Sequence, residues 1–453
     1  MSDYLDEIAQ YVSECEFDDF PIDVIKRAKE VVADCLAAIA AGAQEEEVKT
    51  LTKRIVGTGN SKVATLIGAG NRTEPSKACL INGMAGTWNE LDEGNRFARG
   101  HPGIHVFPAA LAISEELNCS GRNLLTALVL GYEIGARIAI ASKLRISMMP
   151  HGTWGTVGAA VTVGKLMGYN ERTMRGLINV SSSLTLATSI RTFKEGGTVR
   201  NAYCGISGYM GILAHNLVQS GFTGEKDGLR TIFGSVVSDT FVPEEVTRDL
   251  GQRFEIVRNY FKRHACCRYN HATLDALGSI IGKLPERRIH PEDIAKVEVM
   301  TYSLAAELND QSPANSTAAK YSIPFSVATF IVHGHARVPS FALQAVNDPV
   351  IKALAQKVTV TEDITFTAMM PEHRPSSVRI TLSDGTILEG KVLSNKGDFD
   401  DPYSPAELRE KYFEVTDSIW KHEIAEGLYC QVMALENVEE INQMTALIAP
   451  IVR

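Results

Sequence analysis

The sequence predicts a mainly α-helical protein that carries a smaller α+β lid. Three observations predict it. Apolar residues recur every three to four positions through most of the chain up to about residue 260, which is the period of a helix. Near residue 265 the texture changes to alternating, strand-like runs set between helices. After Lys396 the helical period returns, so the end of the chain is expected to rejoin the first domain. The expected division is an all-helical domain of residues 1–265 and 395–453, with an α+β lid of residues 266–394 inserted into it.

The elements follow in order. Ile22–Ala41 is apolar at helical spacing, opens after Pro21 and stops at Gly42. Ser76–Trp88, Phe107–Leu117, Leu124–Ile140, Thr156–Met167, Glu171–Leu186 and Ala202–Gln219 show the same period and are rich in Ala, Gly and Ser. Such small residues let helices approach closely. In the lid, Lys296–Tyr302 alternates as a half-buried strand does, and Ser377–Leu382 and Thr386–Val392 flank an Asp384-Gly385 step that marks a hairpin. Helices are expected at about 270–284, 322–333 and 341–356, then at Ser404–Tyr412 and Val438–Leu447.

Composition narrows the class. At 453 residues the chain exceeds one ordinary core. Its 45% hydrophobic and 22% charged residues are those of a soluble globular protein. A net charge of −9 without a basic tract argues against a nucleic-acid partner. The start, Met1-Ser2-Asp3-Tyr4, lacks the features of a targeting peptide. The longest apolar runs, such as Cys35–Ala41, are too short to span a bilayer, so no membrane partner is expected. Eight scattered cysteines with no C-x-x-C point to a reducing cytoplasm.

Four segments could carry chemistry. Asn89–Pro108 crowds Glu90, Asp92, Glu93, Arg96, Arg99, His101 and His105 into a stretch cut by Gly94, Gly100 and Pro102. A polar loop on a rigid scaffold is where ionisable groups usually do work; a solvated connector is the bland alternative. Pro150–Ala160 places His151 and Thr153 before a glycine-spaced helix start, whose free N–H groups suit an anion. Phe193–Gly205 carries Arg200, whose fork could hold a carboxylate, and Tyr203. Lys262–His271 adds Lys262, Arg268 and His271 at the domain change. No metal site is expected, since Pro102 and Gly103 separate His101 from His105, and Cys266-Cys267 with His264 and His271 is a poor zinc set. Gly-x-Ser-x-Gly is absent.

In this order the segments resemble the MmgE/PrpD family, which includes 2-methylcitrate dehydratase, cis-aconitate decarboxylase and iminodisuccinate epimerase. The likeness also covers Val31-Val32-Ala33-Asp34, Ile81-Asn82-Gly83-Met84-Ala85, Gly221-Phe222-Thr223-Gly224, Tyr321-Ser322-Ile323-Pro324-Phe325 and Lys396-Gly397-Asp398. The resemblance implies a homodimer with an interdomain cleft that takes a di- or tricarboxylate without metal or organic cofactor. It also implies that His101, His151 and His271 stand at the family's histidine positions. Glu90-Leu91-Asp92-Glu93 replaces an aspartate-rich loop, and Arg200 and Tyr203 replace a lysine and a histidine.

The expected function is therefore a cofactor-independent lyase that removes a proton next to a carboxylate. His101 or His151 would be the base and Tyr203 a proton donor. His271 completes the catalytic candidates. Glu90, Asp92, Glu93, Arg96, Thr153, Arg200, Lys262 and Arg268 are the substrate-binding candidates. An epimerase, a decarboxylase or a non-catalytic carboxylate binder are the alternatives.

Overall fold

The computed structural model describes residues 3–57 and 61–449. Helix accounts for 57% and strand for 11%, so the protein is mainly α with a small α+β portion. The longer helices of the first half are α1 (Tyr4–Glu14), α2 (Ile22–Gly42), α3 (Glu46–Val56), α4 (Pro75–Trp88), α5 (Pro102–Leu117), α6 (Gly121–Ala141), α7 (Trp154–Leu166), α8 (Glu171–Ser182) and α9 (Tyr203–Gln219). Glycines set their spacing. A Cβ on Gly83 of α4 would lie 2.6 Å from the Cα of Gly205 in α9, so these helices touch backbone to backbone.

Helix α6 is 21 residues long and apolar enough to cross a membrane by length and composition, contrary to the reading that no run is long enough. Its most apolar window is 94% buried among the other helices. The ion pair of Arg137 with Glu133 (2.5 Å) lies inside that core.

The lid holds α10 (Arg268–Ile281) and α11 (Ile323–His333) against strands β1 (Ile294–Thr301), β2 (Val358–Glu362), β3 (Ser376–Leu382) and β4 (Ile387–Val392). The strand order is β4-β3-β1-β2. The β3–β4 hairpin is antiparallel and turns through Gly385 at φ +86°, where glycine is at ease. Helix α10 lies on this hairpin so closely that a Cβ on Gly390 would sit 2.4 Å from the Ala276 carbonyl.

Several sequence expectations need correction. The helix expected from Phe107 begins at Pro102; proline fits a first helical position, where no N–H is needed. The helix expected over 341–356 is two pieces, Leu343–Val346 and Pro349–Ala355. Asp348 caps the second by accepting from the N–H of Val350 and Ile351. The helix expected over Val438–Leu447 is only Ile441–Thr445. Helices α12 (Pro405–Thr416) and α13 (His422–Met433) precede it; α1, α3, α13 and β2 were not expected, and the helical part is not all-helical, since Ala64–Leu66 pairs with Asn71–Thr73, Gly94–Asn95 with Asn259–Tyr260 and Ser142–Leu144 with Ser238–Phe241.

Two apolar cores result. One runs from Leu5 to Phe261 and takes in Tyr412, Phe413, Leu428 and Met444 from the chain end. The other centres on the lid, from Ala265 to Ile380, and reaches Leu91, Met149, Phe193 and Tyr203 of the helical part. Lys411 of α12 ties the chain end to the acidic loop. Its ammonium pairs with Asp34 of α2 and donates to the Leu91 carbonyl at 2.8 Å. Asp34 in turn accepts the Glu93 N–H at 2.8 Å.

Candidate active site

Residues 89–101 are not a solvated connector. Glu90, Asp92 and Glu93 are 3%, 1% and 0% exposed, so each must find a partner in the interior. They find three different ones.

Glu93 serves the scaffold. Its carboxyl accepts from the Gly103 N–H at 2.7 Å, in the first turn of α5, and from Tyr132 and Asn259. Burial outweighs these bonds and pushes its pKa up to about 8. The proton it holds at neutral pH has a stability consequence. Between the ordinary carboxyl range and pH 8 the folded chain binds the proton and the unfolded chain does not, so stability falls as pH rises. Glu93→Gln cannot ionise. Its melting temperature relative to wild type should rise from pH 5 to pH 8, by the equivalent of at least about 1.4 kcal/mol, one unit of acidity. A difference independent of pH would contradict a protonated Glu93.

Asp92 serves His101. Its Oδ2 lies 2.9 Å from His101 Nδ1 as an ion-pair contact, while the hydrogen bond of Nδ1 goes to the Glu93 carbonyl at 2.8 Å. Two acceptors face Nδ1, so Nδ1 carries the hydrogen and Nε2 is the nitrogen free to take a proton. Burial raises the Asp92 carboxyl, but His101 and then Lys262, 3.7 Å away, hold it well below its ordinary value.

Glu90 serves Arg200. It pairs with the guanidinium at 2.5 Å, accepts from Tyr321 Oη at 2.9 Å and lies 3.4 Å from Lys262. Burial raises its pKa, and Arg200 and Lys262 bring it back below the ordinary value. Glu90 also adopts φ +52°, which costs a non-glycine residue on the order of 1–3 kcal/mol; its three partners hold it there. Arg200, 2% exposed, sits in a 3₁₀ turn, Thr198–Ala202, before α9. It does not cap a surface loop with Glu195, which pairs with Arg191 at 2.6 Å.

His151 lies beside these groups. Its ring centroid is 4.9 Å from that of His101, and its Nε2 is 3.5 Å from Arg200 Nη2. Burial, then the Arg200 charge, pushes its pKa well below the usual imidazole value, so the ring is neutral and its Nδ1 has no partner. His105 is a different kind of histidine. Nδ1 donates to the His101 carbonyl at 2.7 Å and Nε2 accepts from the Gly152 N–H at 3.2 Å. Burial pushes its pKa down to about 4. Its ring lies against Gly155, where a Cβ would fall 2.1 Å from Cδ2. Both its nitrogens are occupied by these hydrogen bonds, and it is they, not an intervening helix break, that leave it no nitrogen to share with His101. Among the described residues no three His, Cys, Asp or Glu side chains form a ligand set.

A cavity of about 160 Å³ opens at the seam between the two cores. Of the sequence candidates, Glu90, Arg96, His101, His151, Arg200 and Arg268 line it. Thr153 does not; its hydroxyl donates to the Pro150 carbonyl at 2.6 Å, and the start of α7 lies behind Pro150 and His151. Asp92, Glu93 and Lys262 stand behind the wall. His271 is also off it, with Nε2 3.2 Å from the Cys266 carbonyl. Tyr203 packs in the lid core with its hydroxyl 3.4 Å from Thr192. Tyr203→Phe should therefore keep kcat within about threefold of wild type, far less than loss of an acid–base group brings. A hundredfold loss in steady-state assays would return Tyr203 to the reacting centre.

Sequence reading missed Tyr260, Tyr321 and Arg374, which also line the cavity. Tyr321 lay in a recognised motif without an assigned role, and nothing local marked the other two. Seven cationic side chains (Arg96, Arg99, Arg145, Lys194, Arg200, Arg268, Arg374) face two carboxylates, Glu90 and Glu307, around the cavity. In a chain of net charge −9, that concentration selects an anion.

The N-terminal domain of MmgE/PrpD proteins matches residues 6–240, and the C-terminal domain matches residues 264–430. The chain belongs to the MmgE/PrpD family. It is 24% identical to a cis-aconitate decarboxylase-like protein of Aspergillus oryzae, over 98% of this chain and 96% of that protein. It is also 24% identical to the cis-aconitate decarboxylase of Aspergillus terreus, over 98% and 95%. A mitochondrial 2-methylcitrate dehydratase of Yarrowia lipolytica is 30% identical over 104 residues, 22% of this chain. The two MmgE/PrpD domain matches leave residues 241–263 between them, the stretch that supplies Tyr260 to the cavity and Lys262 to Glu90 and Asp92.

Proposed function

We propose that this MmgE/PrpD lyase acts on a di- or tricarboxylic acid by moving a proton at a carbon next to a carboxylate. The observation that carries the reading is His101, whose Nδ1 is fixed by Asp92 and the Glu93 carbonyl and whose Nε2 is free at a cationic cavity. A histidine oriented by a carboxylate is a general base by geometry. Charge that develops on the substrate carboxylate as the proton leaves would be met by Arg200. Asp92 would stabilise the imidazolium that forms. In a dehydration, hydroxide then leaves the adjacent carbon with its electron pair and departs as water; in a decarboxylation the proton moves the other way, onto the carbon that keeps the electron pair when carbon dioxide departs. We further take the enzyme to work as a cytoplasmic homodimer without metal or organic cofactor.

The geometry favours this over two-base epimerisation at the histidines. A carbon held between two bases needs roughly 3 Å to each nitrogen. The His101 and His151 rings are 4.9 Å apart and tilted by only 32°, so they flank one side of a ligand and do not enclose it.

The test is incubation with cis-aconitate, 2-methylcitrate and related acids in heavy water. Proton resonance would follow deuterium uptake, and ultraviolet absorbance would follow any conjugated alkene. Deuterium incorporation or product formation that disappears in His101→Asn supports the reading. Saturable binding of these acids with neither exchange nor product would overturn it.

A further inference from the structure

Away from the histidines, three guanidiniums meet at one end of the cavity. Arg96 comes from the acidic loop, Arg268 from the first turn of α10, and Arg374 from the strand-entering segment before β3. They are 6%, 4% and 7% exposed. Only two carboxylates answer them. Asp398 pairs with Arg268 and lies 3.7 Å from Arg96, and Asp400 lies 2.7 Å from Arg96. Arg374 has no carboxylate partner among the described residues; its Nη2 reaches only the Arg96 carbonyl, at 3.4 Å.

The donors left over are specific. Nε of Arg96, Nε and Nη1 of Arg268, and Nε of Arg374 are buried with no acceptor. Native interiors rarely leave such groups unpaired, so several together behind one cavity wall leave this end with more cationic donors than the protein's own acceptors answer. Tyr260 separates this end from the histidines. Its ring lies 6.3 Å from that of His101, and the Arg268 guanidinium sits 4.8 Å from its centroid. A ligand reaching from Arg200 and His151 to Arg374 would pass Tyr260.

We infer that Arg374, with Arg268 and Arg96, forms a second anion subsite that binds a substrate carboxylate remote from the reacting carbon. Arg374 is the specificity-determining residue of that subsite, because it alone of the three makes no direct ion pair with a protein carboxylate, Asp398 acting on it only from beyond Arg268 and Arg96. The enzyme thereby selects acids with separated carboxylates over monocarboxylates. This rests on the reading of the cavity as a carboxylate site, and binding can be measured apart from turnover.

The experiment is titration calorimetry with propane-1,2,3-tricarboxylate, which carries no leaving hydroxyl, and with propionate. Arg374→Gln should weaken the tricarboxylate roughly 10- to 100-fold, the scale of a lost charge-assisted bond. Propionate affinity should be unchanged. Arg374→Lys keeps the charge without the fork and should recover part of the loss. Circular dichroism establishes that each variant folds; if Arg374→Gln does not, Arg374→Lys carries the test by a several-fold loss confined to the tricarboxylate. Wild-type affinity in the folded variants, or an equal loss for propionate, overturns the subsite. Arginine-dependent binding with no turnover of any acid would leave the subsite standing and sink the lyase reading. Turnover that ignores Arg374 would do the reverse.

Discussion

His101→Asn should lower kcat/KM by about 10²- to 10⁴-fold, the range for loss of a general base, while the fold survives. Asparagine can still donate from its amide to the Glu93 carbonyl, where His101 Nδ1 donates at 2.8 Å, so the loop keeps its anchor. What it lacks is the basic nitrogen facing the cavity. His151→Asn is the informative partner. His151 is held neutral by burial and by Arg200; a bound dianion would offset the Arg200 charge and ease its protonation. It therefore suits proton delivery late in the reaction, and its variant should be slowed in kcat more than in deuterium exchange. If His101→Asn instead turns over within a few-fold of wild type, His101 belongs with His105, as a histidine that only joins segments.

The contrast between His101 and His105 shows what was legible in the sequence. Both sit in one dense polar segment, and the sequence placed that segment at a site. Their roles differ because His105 falls inside α5, facing Gly155 and the Gly152 N–H, while His101 precedes the helix. Periodicity does not distinguish them, because the proline between them starts a helix that it was read as preventing. The helical period and the change of texture near residue 265 were legible because burial enforces them over many residues. The break at Asn347-Asp348-Pro349 and the short strand β2 were not, because a cap or a single sheet neighbour decides them. Arg374 stayed hidden for a related reason. It joins Arg96 and Arg268 only through tertiary folding, across sequence separations that no local pattern records. Tyr203 was the opposite case, singled out by its alignment with a family histidine but turned into the lid core by the helix that bears it.

Arg200→Ala should cost about 3 kcal/mol in kcat/KM, on the order of 10²-fold, through substrate binding and through the developing charge. Arg200 touches both the protein's own acidic loop and the cavity. Nη1 is engaged by Glu90 at 2.5 Å and by the Thr87 carbonyl at 3.3 Å, whereas Nε has no partner. That leaves one edge of the guanidinium for a substrate carboxylate. Removing it also strips Glu90 of its nearest cation, although Lys262 and Tyr321 remain, so part of the loss would come from a displaced loop. Glu90→Gln separates the two contributions. If Arg200 acts mainly by fixing Glu90, the two variants should lose activity alike, with kcat falling and KM steady. If Arg200 clamps substrate, only Arg200→Ala should raise KM. Arg200→Lys keeps the pair with Glu90 but presents a point charge in place of a fork, and should recover part of the activity on the native acid. It also restores a titratable amine where the sequence resemblance places one. A gain on cis-aconitate or 2-methylcitrate would show that the arginine itself steers this enzyme to another acid. Kinetics untouched by Arg200→Ala would remove it from the site, despite its burial beside His151.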